Sequence, residues 1–188
     1  MVSGKVLLGA GVVVVLAVAA YFLLVPSEKA ELEKLNAILA KYGVDFPDNF
    51  SYAALAALPA STRSTMKSEL QDFAAGGAIF KKPESVVKSA NFMVAFIDVV
   101  NSAELTDKKN AEILAGFSKP PCDSLGTISE RNELEAMTIS LLAQLQDEAR
   151  ELSSDKDVTL SQQLIDQLTA DHEQHVRAFN DLKGGCVQ

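Results

Sequence analysis

The chain has 188 residues, enough beyond its first 26 for one domain with a core of its own. Its formal charge is −8, from 25 acidic against 17 basic residues. Such a surface repels phosphates and offers no basic patch to anionic headgroups, which argues against nucleic-acid partners and against docking on charged lipid. Tryptophan is absent, aromatics are few, and Pro and Gly fall between segments rather than inside them. This composition suits an all-α protein with an aliphatic core.

Residues 6–25 read VLLGAGVVVVLAVAAYFLLV, twenty positions without a charge. A helix of that length crosses a hydrocarbon layer of roughly 30 Å, and Tyr21 stands where interfacial aromatics are common. We therefore expect residues 1–26 to form a single transmembrane anchor in contact with the lipid bilayer through residues 6–25. A cleaved signal peptide is the competing reading, with Lys5 as its basic region and Ala17-Val18-Ala19 as its cleavage site. The apolar YFLLVP that follows that site speaks for a retained helix. A prepilin leader fails for want of a basic residue before Gly4 and an early Glu, and Val2 rules out N-myristoylation.

The remaining residues 27–188 read as one helical-bundle domain. Residues 27–42 form an amphipathic helix with Leu32, Leu35, Ile38, Leu39 and Tyr42 on one side, stopped by Gly43. A loop at 45–49 leads to a short Ala-rich helix at 51–58, ended by Pro59. A further helix over 61–75 stops at Gly76-Gly77. Pro83 opens a segment, 84–100, that is apolar on most sides and reads as the central buried helix. Lys88 and Asp98 argue against a second span there. Thr106 is expected to cap a separate, shorter helix ending near Gly116, before the break at Lys119-Pro120-Pro121.

The last third predicts an antiparallel helical hairpin over 127–186. Thr127-x-x-Glu130 is a capping box opening a helix to about Leu152, with Leu134, Met137, Leu141, Leu145 and Leu152 on one face. After Ser153-Ser154-Asp155, a second box at Thr159-x-x-Gln162 opens a helix that runs to Lys183 and stops at Gly184-Gly185. Ile165, Leu168, His172, His175, Phe179 and Leu182 follow a 3-4 spacing along it, the seam of a paired helix. Cys122 and Cys186 then arrive at the same open end, so a disulfide is expected to clip the hairpin shut. That pairing points to an oxidising compartment, with the domain periplasmic or extracellular.

His172 and His175 are the only histidines and are weighed as candidate metal ligands. They share a helix face, but the spacing is neither H-E-x-x-H nor a doubled Glu-x-x-His. The simpler reading packs both imidazoles in the seam, bonded to groups such as Ser140 or Glu133, so no metal and no cofactor is expected. A seam responsive to pH is a further possibility for such a pair. Asp155, Asp157, Thr159 and Asp166 stand at calcium-loop spacing, yet Leu160 occupies the glycine position. Asn49-Phe50-Ser51 is a glycosylation sequon of a kind expected by chance. No nucleophile elbow, phosphate loop or C-x-x-C motif is present, so no catalytic residue is assigned.

The expectation is thus a non-enzymatic, single-pass membrane-anchored accessory or structural subunit that acts through contacts with other subunits of a membrane assembly. The alternatives are a membrane-anchored sensor or ligand-binding domain, a membrane structural protein of a virus particle, and a metal-binding enzyme using His172 and His175.

Overall fold

The computed structural model describes residues 26–46, 50–76, 82–116, 120–152 and 155–186. The expected membrane segment and the sequon residue Asn49 lie outside them. Among the described residues the protein is all-helical, with no strand: α1 (Pro26–Ala40), α2 (Tyr52–Ala56), α3 (Ala60–Ala75), α4 (Glu84–Ala115), a 3-10 turn (Pro121–Ser124), α5 (Leu125–Glu151) and α6 (Asp155–Cys186).

Local chemistry sets most of these bounds. The chain leaves α1 through Gly43, whose φ of 70° is left-handed, while the amides of Tyr42, Gly43 and Val44 bond back to carbonyls of the last turn. Ser51 caps α2 by accepting from the Ala54 amide at 3.3 Å. Pro59 and Pro83 precede α3 and α4, and Gly116 ends α4.

Helix α4 is the axis of the molecule. Val86, Ala90, Met93, Ile97 and Val100 are fully buried. Leu35 and Leu39 of α1, Leu55 of α2, and Met66 and Leu70 of α3 join them, as do Leu142, Leu145 and Ala149 of α5. Phe46, Phe50, Phe96 and Phe92 form a continuous aromatic row with successive ring centroids 6.1, 5.6 and 6.4 Å apart. By length and composition α4 could cross a membrane, but 61% of its apolar window is buried inside the protein, which is the condition of a core helix.

Polar pairs give the directions. Arg63 reaches Asn101 and Lys67 meets Asp98, so α3 runs antiparallel to α4. Glu28 accepts from Ser85 at 3.0 Å, which places the start of α1 beside the start of α4. Lys88–Glu151, Ser102–Thr138 and Lys109–Glu130 pair α5 with α4 in antiparallel register. Gln146 meets Val158 and Gln162, and α6 folds back along α5 as the expected hairpin. The Cys122–Cys186 disulfide closes its far end, with the two Cα atoms 5.7 Å apart and the cysteines 64 positions apart in sequence.

Four expectations are corrected. Helix α4 does not break near residue 100: Thr106 lies inside it and turns its hydroxyl back to the Ser102 carbonyl at 3.0 Å. Helix α5 starts at Leu125, directly on the 3-10 turn, and α6 starts at Asp155, so neither capping box marks a helix start. Gly184-Gly185 does not end α6, which continues to Cys186. Of the expected apolar face of α5, Leu145 is buried and Leu141 and Leu152 pack against the core, but Met137 is exposed, and Thr138, Leu142 and Ala149 are buried beside Leu145.

Candidate functional site

The strongest convergence of chemistry-bearing groups lies in the α5–α6 seam. His172 and His175 sit one turn apart on the inner face of α6. Across from them, Glu135 of α5 takes both rings: His172 Nδ1 lies 3.2 Å from Oε2, and His175 Nδ1 lies 2.8 and 3.1 Å from the two carboxylate oxygens. A carboxylate only accepts, so each ring presents its Nδ1–H to Glu135. Arg131, one turn back on α5, brings its Nε to 3.6 Å from the same carboxylate. Burial pushes the Arg131 guanidinium below its ordinary value, and the charge of Glu135 works in the opposite direction.

The cluster thus consists of one largely buried anion, one largely buried cation and two imidazoles, tying α5 to α6. It brings together the two histidines singled out in the sequence and shows the expected seam packing. Their partner is Glu135, not Ser140 or Glu133, both of which are exposed. Glu135 and Arg131 were missed, although one signal could have found the carboxylate. Counting outward from the midpoint between Glu151 at the end of α5 and Asp155 at the start of α6, position 135 stands nearly opposite position 172. Among the described residues no group of three or more His, Cys, Asp or Glu side chains is arranged to hold a metal ion. Residues 155–166 are helical throughout, so the calcium-loop spacing corresponds to no loop.

A second polar cluster lies where α2, α3 and α4 meet. Arg63 is buried with 1% exposure. It donates to the carbonyls of Leu55 at 3.1 Å and Leu58 at 2.7 Å, to Asn101 Oδ1 at 2.6 Å, and to Glu104. Its planar fork satisfies the carbonyls at the end of α2 while pairing with α4, a job that needs several donors in fixed geometry. Hydrogen bonds from Lys108 and Arg63 hold the Glu104 carboxyl below its usual range.

Comparisons with protein families, with characterised proteins and with solved structures find no match to this chain.

Proposed function

We propose that this protein is a non-enzymatic accessory or structural subunit of a membrane assembly, anchored by residues 6–25 and acting through protein–protein contacts. The observation that carries the reading is where the charge-free run joins the domain. It leads straight into α1, whose first turn stands beside the start of α4, and that start in turn meets the end of α5. The disulfide and the end of α4 lie at the opposite pole. With 32 residues, α4 is about 48 Å long. An anchored domain of this shape stands off the bilayer as a column and offers its far half to partners. The exposed large apolar side chains Leu105, Leu114 and Met137 all belong to that half. The disulfide favours an extracytoplasmic side.

Mild detergent extraction from the native source, native electrophoresis and identification of co-migrating chains test the proposal. The expected result is a defined larger assembly, weakened by Leu114→Glu or Met137→Glu. Migration as a lone chain or as a homodimer refutes it.

A further inference from the structure

The buried apolar side chains of the described residues are gathered at one end. Along α4 they stop at Ala103, and along α5 they begin at Leu142. On α6 the last residue packed against that core is Leu168. Beyond this line α4, α5 and α6 continue together for several turns with their apolar side chains, such as Ile113, Ile128, Leu134, Val176 and Phe179, only partly covered, and the side chains they bury are polar: Thr106, Arg131, Asn132 and Thr138. Two of those side chains hold atoms, Arg131 Nε and Asn132 Oδ1, that are buried without a hydrogen-bond partner. Such an interior adds little net stability, and the unpartnered Asn132 Oδ1 subtracts from it. The final turn of α6 also carries Gly184 and Gly185, the poorest helix formers after proline. A half built in this way opens at a lower free energy than the apolar half unless something else holds it.

The Cys122–Cys186 disulfide is positioned to do so. It fastens the last residue of α6 to the turn that starts α5, and Cys122 is exposed to solvent. We propose that this disulfide is a redox latch: it keeps the far half of the molecule closed, and its reduction opens that half while the apolar half stays folded. The reductant class is a dithiol. One thiolate attacks a cystine sulfur and forms a mixed disulfide, and the second thiolate resolves it. Two electrons and two protons end on Cys122 and Cys186 as thiols, and the reductant leaves as its own disulfide. The Glu135–His172–His175 cluster remains as the far half's main polar tie between α5 and α6, too exposed at His175 to replace the covalent link.

Hydrogen exchange read by mass spectrometry on the full chain in detergent micelles tests this. Three states are compared: oxidised, reduced with dithiothreitol, and the Cys122→Ser/Cys186→Ser variant without reductant. The variant separates loss of the link from any other action of the reductant. The expected result in both unlinked states is that amides of 104–115, 125–140 and 170–186 lose protection by at least about tenfold more than those of 86–100 and 142–150. Any smaller difference, whether protection falls equally in both halves or in neither, overturns the latch.

Discussion

Arg63 shows what one buried cation does for a small helical domain. Its guanidinium satisfies two main-chain carbonyls at the end of α2 and reaches both Asn101 and Glu104 on α4, all with almost no contact with water. Arg63→Met fits the space roughly but takes the donor from the Leu58 carbonyl and Asn101 Oδ1 and leaves Glu104 to Lys108 alone, so a loss of about 3–5 kcal/mol is expected in chemical denaturation. Arg63→Lys should recover only part of it, because a single ammonium cannot copy the fork. The same cluster sets a pH dependence. Lys108 and Arg63 hold the folded Glu104 carboxyl below the 4.5 of the free group. Its contribution is therefore present above that pH and is lost as pH falls through the lowered folded value. A stability titration between neutrality and pH 3 should show this acid limb, and Glu104→Gln should flatten it; an unchanged limb would assign it to other carboxylates. Glu135 acts differently, because three side chains converge on one carboxylate. A double-mutant cycle between Glu135→Gln and His175→Ala should give a coupling of about 0.5–3 kcal/mol, and additive effects would mean that the pair does not interact in solution.

At the scale of the element, the end of α6 gives the sharpest test. A Gly-Gly pair after a periodic run ordinarily signals a stop, yet the helix passes through both residues to Cys186. Neither glycine has positive φ, and an added Cβ at either one meets nothing within 4 Å. Gly184→Ala and Gly185→Ala should therefore each stabilise the oxidised protein by about 0.8–1 kcal/mol. A loss of stability in thermal or denaturant unfolding would show that the chain turns there instead. This position also marks how far the sequence could be read. Helices α1 to α3 and the start of α4 were legible because Pro59, Pro83, Gly43 and Gly76 punctuate them and their apolar spacing is regular. The hairpin and its disulfide were legible because two similar periodic runs flank a short polar break, with a cysteine outside each. The continuity of α4 was not, since Thr106 looks the same in sequence whether it caps a new helix or bonds back to Ser102. Thr127 and Thr159 misled too, since each lies inside a helix that begins earlier, at Leu125 and at Asp155. The histidine partner was half legible: the spacing placed His172 and His175 in the seam, but identifying Glu135 required the register of the hairpin as well.

For the whole molecule, the uneven core makes the disulfide the feature on which cooperativity depends. Closing a 64-residue span removes chain entropy from the unfolded state worth on the order of 4 kcal/mol, so unfolding of the Cys122→Ser/Cys186→Ser variant should cost about that much less than unfolding of the oxidised protein. Entropy of the unfolded chain alone would shift the denaturant midpoint and leave the slope unchanged. The distribution of buried side chains predicts more than a shift. Once the covalent tie is gone, the half that buries Thr106, Arg131, Asn132 and Thr138 has only its polar contacts and partly covered apolar residues to hold it. It should melt first and leave the main transition to the apolar half. Circular dichroism in increasing urea should then show one transition for the oxidised chain. The variant should show an early partial loss of helix followed by a main transition with a smaller m-value, because less surface remains to be exposed. A single transition of unchanged slope in the variant would mean that the far half is coupled to the core through α4 and α5 alone, whose unbroken helices run the length of both halves. The disulfide would then act only on the unfolded chain.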